Sequence, residues 1–422
     1  MGPADGGAAG PDPALRPLVI EIGTAMIGAG DAVEIVEDHL RRILAAYRVN
    51  DAQLALLPTS LFVEFGGGGH AGYVQFASGV TQSLRLDQIA ALYQLVHELE
   101  AGDIHPAEGR RRLVAVYEMA PRFTAPIRTI GHAVLTAGLA LLLVPTWEGV
   151  LAALVLGFAI GALKLASLPT LRLILPIAAA ALSSILVFAV AHVVDLHDPV
   201  RLLVAPLATF IPGSVLAIAT IELAAGQIVS GASRLVSGLV QLALLAFGIV
   251  AGAALVHAPR AFLHAQPSPG VGSWVAWVGV IVFGVGIFLH FSAPVRSFAL
   301  LLAVLVVAFS AQRVSALVVG GVLSGFFGAL AMTPLALWID NLRVGTPKLV
   351  TFLPAFWLLV PGATGLVGVT QLVGTNSKVA ANLFADTLGT IAAISLGVLL
   401  GAALYQTAHA GARRVGRLVS GG

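Results

Sequence analysis

Two carboxylates lie within long apolar stretches of the 422-residue chain, where an acidic side chain is rare. Glu222 falls in LATFIPGSVLAIATIELAAG, residues 207–226, and Asp386 falls in KVAANLFADTLGT, residues 378–390. Removal from water disfavours the charged form of a carboxylate, so such a group can bind and release a proton near neutral pH. We therefore predict Glu222 and Asp386 as proton-coupling residues. For Glu222, a structural ion pair with Arg234 is the alternative.

A Pro-Gly pair interrupts the apolar stretch that contains the glutamate, and a second pair occurs 149 positions later (212 to 361). The sequence is FIPGSVLAIATIELAAG around Pro212–Gly213 and LVPGATGLVGVTQLVG around Pro361–Gly362. Proline removes a backbone donor and clashes with the preceding turn, so we expect each stretch to break into two half-helices. A break is tolerated in a bilayer where it lines a cavity, and matching breaks in two halves of a chain indicate a substrate site near the midplane.

The predicted substrate site takes residues from both breaks, which we expect to line one cavity. The positive end of the half-helix that begins at Pro212 would attract an amino-acid carboxylate. Polar side chains nearby can hydrogen-bond a zwitterion, although hydroxyls in such helices usually bond to their own backbone. The residues predicted to contact the substrate are Pro212, Gly213, Ser214, Thr220, Pro361, Gly362, Thr364 and Gln371. The residues predicted to support the site are Ser230, Arg234 and Asn382.

The composition is that of a membrane protein. Hydrophobic residues make up 58% of the chain and charged residues 10%, far outside the range of soluble globular proteins. The formal charge of +2 gives no sign of nucleic-acid binding, and no cysteine is present. His132, His192 and His290 lack metal-ligand spacing and are expected to be interfacial or satisfied by hydrogen bonds. We therefore expect no metal, no cofactor and no nucleic-acid partner.

The front of the chain differs from the remainder, because most acidic residues lie before residue 125. Residues 1–13 are rich in Gly, Ala and Pro and are predicted to be disordered. Residues 14–125 are predicted to form a small cytoplasmic α+β domain. Its predicted elements are a helix over 14–26, an amphipathic helix started by a capping box of Asp31 and Glu34, strands in QLALLPTSLFVEF and GYVQFASG joined by a Gly-rich turn at 66–70, and helices over 86–100 and 106–119.

From about residue 127, apolar runs recur at the length needed to cross a hydrocarbon core. The ten predicted spans are 127–144, 147–163, 173–194, 202–225, 235–256, 271–291, 297–311, 315–338, 350–373 and 380–407. The 149-residue shift carries span 5 onto span 10 and span 1 near span 6, so a five-span unit occurs twice. Because five is odd, the second copy would enter the membrane from the opposite face, as in the inverted repeats of secondary transporters.

The predicted fold is therefore a polytopic α-helical membrane protein with transmembrane repeats at 126–258 and 259–410 and a basic cytoplasmic tail at 411–422. Lys and Arg are more frequent in the connections on the front-domain side, which favours a cytoplasmic front domain and tail. The basic residues assigned to that side are Lys164, Arg172, Arg234, Arg296, Arg343, Lys348, Arg413, Arg414 and Arg417. We expect a multi-pass protein of the cell membrane with both termini cytoplasmic, and a homo-oligomer is possible.

The segment PGSVLAIATIELAAGQIVSGASRL resembles the signature of the bacterial threonine/serine exporter (ThrE-type) family, a Pro-Gly turn followed by an acidic residue and a G(x)nSG(x)nR stretch. The matching positions are Pro212, Gly213, Glu222, Gly226, Ser230, Gly231 and Arg234. The second LVPG, the ten spans and the front domain also fit, so the resemblance covers nearly the whole chain. It implies export of small amino acids such as threonine and serine, driven by the proton motive force. Ile218 and Ile221 stand where many members have Asn and Arg, which leaves the substrate open.

Three other functions stay open. An exporter of another small zwitterion would differ only in its substrate. A passive channel would need a ring-forming filter motif, which the sequence lacks. A membrane-bound hydrolase would use the front domain as its catalytic unit and would need a nucleophile with a positioned base, yet no GxSxG or HExxH spacing occurs. The side chains available to it are Ser60, Ser78, Ser83, His70, His97 and His105.

Overall fold

The front of the chain folds into helices and a small sheet. The computed structural model describes residues 12–65, 73–78, 84–166, 174–264, 272, 274–342, 346–359, 361–375 and 378–420. Residues 1–11 of the predicted disordered segment and the predicted turn at 66–70 lie outside this set. The elements of residues 12–118, here called the front segment, are α1 (Leu15–Ala29), α2 (Val33–Ala46), β1 (Gln53–Leu57), β2 (Ser60–Phe65), β3 (Tyr73–Ser78), α3 (Leu86–Ala101) and α4 (Pro106–Glu118).

The three strands form one antiparallel sheet in the order β1, β2, β3, with Leu54 opposite Val63. The prediction of one continuous strand through QLALLPTSLFVEF is wrong, because a turn at Pro58 divides it into β1 and β2. Proline has no N–H for a strand ladder and a fixed φ, so it lies at turns and strand ends. Leu61 of β2 packs against Gly23 of α1, which places the sheet on that helix.

The predicted capping box at the start of α2 is also wrong. The residue before the helix is Ala32, and no side chain caps it locally. Instead, the Val33 N–H donates to Oε1 of Glu222, from a distant helix, at 3.0 Å. Asp31 accepts a hydrogen bond from the Tyr93 hydroxyl at 2.5 Å. A carboxylate at a helix N-terminus satisfies an orphan donor and suits the helix dipole, but local spacing cannot reveal one that comes from another element.

The remainder of the described chain is almost entirely helical. Its α-helices are α5 (Ala125–Leu143), α6 (Trp147–Ala166), α7 (Leu175–Ala191), α8 (Pro199–Leu202), α9 (Val204–Leu207), α10 (Gly213–Ala224), α11 (Ile228–Leu255), α12 (Trp274–His290), α13 (Phe298–Val319), α14 (Gly321–Asp340), α15 (Lys348–Leu359), α16 (Pro361–Thr375) and α17 (Lys378–Ser420). Short 3₁₀ helices cover Ala208–Phe210, Arg260–Leu263 and Val295–Ser297.

Within the described ranges, six helices are long and apolar enough to cross a membrane: α5, α6, α11, α13, α14 and α17. Two bent pairs raise the number to eight: Pro199–Phe210 with Gly213–Ala224, inclined by 67°, and Lys348–Leu359 with Thr364–Gly374, inclined by 43°. The apolar helices α7 and α12 have 17 residues each, a length of about 26 Å, short of a typical hydrocarbon core. Counting both short helices as spans would give the predicted ten.

Helices α13 and α17 extend well past their predicted ends. The seventh predicted span, 297–311, is too short, because α13 continues through Gln312 and Arg313 to Val319. Gln312 is accommodated there because its side-chain amide donates to the carbonyl oxygen of Leu359 at 3.4 Å. The last helix, α17, continues to Ser420, through most of the segment predicted as a tail.

Within each half of the chain, one helix pair packs closely through glycines, and the glycines of the two pairs correspond at the 149-residue shift. A Cβ placed on Gly248 of α11 would lie 2.7 Å from the carbonyl oxygen of Ile177 in α7. A Cβ on Gly397 of α17 would lie 2.3 Å from the carbonyl oxygen of Phe326 in α14. Each glycine and the carbonyl that it faces shift together; the pairs are Gly248 with Ile177, Gly397 with Phe326, Gly252 with Ala181 and Gly401 with Leu330. The α7–α11 and α14–α17 interfaces are therefore built alike.

We expect Gly248→Ala and Gly397→Ala each to lower the free energy of unfolding by about 1–3 kcal/mol, because the added methyl overlaps a backbone carbonyl that cannot move alone. Gly321→Ala is the matched control, since no atom lies within 4 Å of a Cβ placed there. Thermal unfolding in detergent micelles measures all three variants. Two interface variants as stable as the control would contradict the close packing of these helix pairs.

Candidate functional site

The predicted break in the fourth span is present between Phe210 and Gly213. The 3₁₀ turn Ala208–Phe210 ends the first part, and α10 begins at Gly213 on an axis inclined by 67°. The carbonyl oxygen of Phe210 accepts a hydrogen bond from Nε2 of Gln241 on α11 at 2.6 Å. A side chain from a neighbouring helix thus satisfies a backbone group at the break, as a medium without water requires.

A polar cluster lies against this break. Lys164 of α6 donates from Nζ to the Thr209 hydroxyl at 2.8 Å, and Nε2 of His132 on α5 lies 3.2 Å from the same hydroxyl. His290, at the end of α12, brings its Nε2 to 3.5 Å from Lys164 Nζ. The Phe210 ring centroid lies 5.2 Å from the ammonium nitrogen, within cation–π range. Three helices and the broken segment therefore meet at one lysine, and we call these four polar side chains the Lys164 cluster.

Backbone carbonyls fix the tautomers of both imidazoles in the cluster. Nδ1 of His132 lies 2.8 Å from the carbonyl oxygen of Gly157, and Nδ1 of His290 lies 2.9 Å from that of Arg128. A carbonyl oxygen only accepts, so each Nδ1 bears a hydrogen and each Nε2 of a neutral ring is an acceptor. The threonine hydroxyl then donates to His132 while it accepts from the lysine. The cluster is therefore a continuous chain of hydrogen bonds.

Small residues on α6 allow α5 to come this close. A Cβ on Gly161 would lie 2.8 Å from the Cβ of His132, and a Cβ on Gly157 would lie 2.5 Å from Oγ1 of Thr136. The two glycines are four positions apart and therefore lie on one face of the helix. This close approach is what places the His132 ring against the Gly157 carbonyl oxygen.

Glu222 lies in an ion pair with Arg234. Its Oε2 is 3.1 Å from the arginine Nε, while its Oε1 accepts the Val33 N–H at 3.0 Å. Arg234 also donates to the backbone carbonyl oxygen of Asp31 at 3.0 Å. Glu222 is 1% exposed and Arg234 is 9% exposed. The contacts connect the front segment to α10 and α11 and fit the ion-pair alternative stated for Glu222.

We call these contacts between the front segment and α10 and α11 the junction, and Asp31 is one of its front-segment residues. Burial raises the pKa of the Asp31 carboxyl above its usual range, and the nearby Lys348 opposes that effect. Burial and the adjacent Asp31 carboxylate likewise raise the pKa of the Tyr93 hydroxyl. A carboxyl with a raised pKa binds its proton more tightly in the folded state than in the unfolded chain. Asp31 therefore raises the free energy of unfolding as the pH falls from its folded-state pKa toward the ordinary aspartate pKa.

The second broken span borders a cavity whose wall includes Asp386. α15 ends at Leu359, and α16 begins at Pro361. A cavity of about 380 Å³ is lined by Leu359, by Thr364 of α16 and by Asp386 and Thr390 of α17. The predicted coupling residue Asp386 and the predicted substrate residue Thr364 therefore lie on one cavity.

Another cavity, of about 370 Å³, lies between the front segment and the membrane helices. Ile218 and Ile221 of α10 form one side of it, and Phe352 of α15 forms another. Asp31 and Lys348 are among the polar residues on its walls. Since α10 and α15 belong to different broken spans, one helix from each broken span lines this cavity.

The other predicted substrate residues have varied surroundings. The Thr220 hydroxyl donates to the Ala217 carbonyl oxygen at 2.9 Å and also contacts the Ser395 hydroxyl, so it joins α10 to α17. Pro361 and Gly362 form the start of α16. The remaining predicted residues differ in exposure: Pro212, Gly213, Gln371 and Ser230 are buried, Ser214 is half-buried, and Thr364 and Asn382 are exposed.

The sequence alone does not reveal the Lys164 cluster. The assignment of Lys164 to an inner loop is wrong, because α6 continues to Ala166. The expectation of satisfied histidines holds for His132 and His290, whose rings bond to backbone carbonyls. The members lie far apart in the sequence, so no spacing connects them. The one signal is a lysine that ends an apolar run, together with histidines in two other runs.

The comparison with protein families matches residues 17–256 to ThrE, described as "Putative threonine/serine exporter". The matched segment is more than half of the chain and runs from α1 to the end of α11, so it includes the broken span at Pro212 and the Glu222–Arg234 pair. The chain belongs to this family. Comparisons with curated proteins and with solved structures gave no match.

The family membership confirms the resemblance predicted from the residues around Pro212. Together with the long apolar helices, it makes this ThrE-family chain a membrane protein of an amino-acid export family. A transporter family agrees with the prediction that the chain is not an enzyme.

We expect Glu222→Gln to lower the free energy of unfolding by about 3 kcal/mol, because it leaves Arg234 buried without its counter-charge. The double variant Glu222→Gln/Arg234→Met should regain most of that loss, since neither charge then remains. Glu148→Gln, at an exposed carboxylate in the first turn of α6, is the control. Thermal unfolding in detergent micelles compares the variants.

If Glu222→Gln remains as stable as the unchanged protein but no longer transports in response to a proton gradient, the ion-pair interpretation is wrong. That outcome would assign Glu222 the coupling role instead.

Proposed function

We propose that this protein is a secondary active exporter that moves threonine, serine or a similar small polar amino acid out of the cell, driven by the proton motive force. One observation carries the proposal: the family match includes the broken span at Pro212. The family supplies transport and the substrate class, and the break supplies backbone groups that can bind a zwitterion near the middle of the membrane. Another small zwitterion would use the same mechanism.

The proposed architecture is ten spans in two inverted five-span repeats, 126–258 and 259–410, behind a cytoplasmic α+β domain at 14–125. The glycine contacts related by the 149-residue shift support it. Further support comes from helix order, since the bent pair precedes the last helix of each half. A repeat of five spans would place the second copy in the opposite orientation.

We place the substrate path between the two broken spans. On the front-segment side, the cavity lined by α10 and α15 would receive the amino acid, where Asp31 and Lys348 offer charges for its ammonium and carboxylate groups. The proposed binding residues at the breaks are those predicted from the sequence. Pro212, Gly213 and Ser214 would serve the first break, with the uncapped start of α10 facing the carboxylate.

Proton coupling is proposed for Asp386, with Glu222 as the second candidate. Asp386 is exposed and lines the same cavity as Thr364, a proposed substrate residue. For Glu222 to take part, its contact with Arg234 would have to open during the cycle. The exposed carboxylate therefore needs the smaller rearrangement.

The proposed setting is the cell membrane, with the front segment and both termini in the cytoplasm. The Lys and Arg distribution in the connections supports this orientation. A basic cytoplasmic tail at 411–422 and a homo-oligomer belong to the same proposal.

Substrate counterflow tests the proposed export activity. Proteoliposomes loaded with unlabelled serine should accumulate labelled threonine above its external concentration, because a carrier exchanges one substrate for the other without an ion gradient. A channel would only equilibrate the label, and a hydrolase would not concentrate it. No accumulation of either amino acid would contradict the proposed substrates.

Asp386→Asn should abolish transport driven by a proton gradient while counterflow remains, because the amide keeps the side-chain shape but cannot bind the coupled proton. Asp195→Asn, at an exposed carboxylate in the connection after α7, is the control and should leave both activities unchanged. Gradient-driven transport of labelled threonine by the Asp386→Asn variant at the unchanged rate would remove Asp386 from the mechanism.

A further inference from the structure

We infer that the Lys164 cluster is a second proton-carrying site of the transport cycle, located at the break of the fourth span. This inference rests on the proposed proton-driven export and adds a cationic site to the carboxylates named above. Its members are Lys164, Thr209, His132 and His290.

The contacts form a path on which a proton can move. Lys164 Nζ lies 3.5 Å from Nε2 of His290 and 2.8 Å from the Thr209 hydroxyl, which in turn lies 3.2 Å from Nε2 of His132. Because both Nδ1 atoms already donate to backbone carbonyls, both Nε2 atoms present lone pairs toward the lysine and the threonine. Lysine and histidine are the side chains that most readily change charge when their surroundings change.

The proton step balances within the cluster. An ammonium proton on Lys164 passes to the Nε2 lone pair of His290, which leaves a neutral amine and an imidazolium that keeps its Nδ1–H on the Arg128 carbonyl. When His290 returns that proton to the Lys164 amine, the restored ammonium passes a proton onward through the Thr209 hydroxyl, which accepts one proton from the lysine and donates its own to Nε2 of His132. Arg128 also lies at the cluster, where its Nε donates to the His290 carbonyl oxygen at 3.2 Å.

Thr209 couples this proton step to the shape of the broken span. The lysine and the two histidines are on α6, α5 and α12, whereas Thr209 lies in the 3₁₀ turn Ala208–Phe210 immediately before the 67° bend. A change in that bend would therefore carry Thr209 away from Lys164 and interrupt the chain. Short helical pieces that end at a break are the kind of element that hinges in transporters.

Aromatic rings flank the lysine of the path, and both of its imidazoles are buried. The Lys164 ammonium lies 5.2 Å from the Phe210 ring centroid and 5.8 Å from that of Phe291. The two imidazole rings pack edge to face, with centroids 4.8 Å apart. Because the front segment donates the Leu86 N–H to the Phe291 carbonyl oxygen, the cluster lies on the front-segment side of the helices.

Two pairs of variants test the inference in proteoliposomes. Lys164→Arg keeps the positive charge but removes the ability to release a proton, whereas Lys164→His keeps a titratable cation. Thr209→Val removes the hydroxyl link, whereas Thr209→Ser keeps it. A pH-sensitive dye inside the vesicles reports substrate-dependent proton movement, and labelled threonine reports counterflow and gradient-driven transport.

We expect Lys164→Arg and Thr209→Val to retain counterflow and to lose substrate-dependent proton movement. Thr209→Ser should keep both activities, and Lys164→His should keep proton movement at a shifted pH optimum. If neither lysine variant inserts into vesicles, the Thr209 pair still decides the question.

Unchanged proton movement in Lys164→Arg or in Thr209→Val would overturn the inference. It would also be overturned if each of these two variants lost counterflow and proton movement to the same extent. Failure of the unchanged protein to move protons with threonine would instead contradict the proposed function. The two failures are therefore distinguishable.

Discussion

A membrane-spanning segment cannot leave backbone groups unsatisfied, and the break between Phe210 and Gly213 is where this fold meets that constraint. Gln241 of α11 donates to the Phe210 carbonyl oxygen. In the turn before the break, Lys164 of α6 donates to the side-chain hydroxyl of Thr209. Each of these partners comes from a neighbouring helix, so the packing around the fourth span is arranged to supply polar groups at one level of an apolar body. The proposed substrate site at Pro212–Ser214 and the Lys164 cluster both lie at this break.

The front segment depends on the membrane helices for part of its own local structure. Its second helix has no cap of its own and uses Glu222 of α10 instead, while Arg234 of α11 binds the Asp31 carbonyl oxygen. The junction also borders the cavity lined by α10 and α15, with Asp31 on its wall. Motion of the front segment would therefore alter both the ion pair and access to the cavity.

The sequence predicted the features that depend on local pattern or on internal comparison. Pro212 marked the break and the apolar runs marked most helices, because backbone chemistry and bilayer thickness act within one segment. The cap supplied by Glu222 could not be predicted, since its partner Val33 is far away in the chain. The Lys164 cluster was hidden for the same reason, because tertiary packing alone brings its three helices and the broken segment together. Pro58 was a local signal that the strand prediction passed over.

The most direct test of the central claim is efflux of labelled threonine or serine from loaded proteoliposomes, with and without an inward proton gradient. Proton-driven export predicts that an acidic exterior accelerates efflux and that a protonophore removes the acceleration. Efflux that is present but insensitive to the gradient would contradict proton coupling. A complete absence of efflux for both amino acids would contradict the proposed substrates.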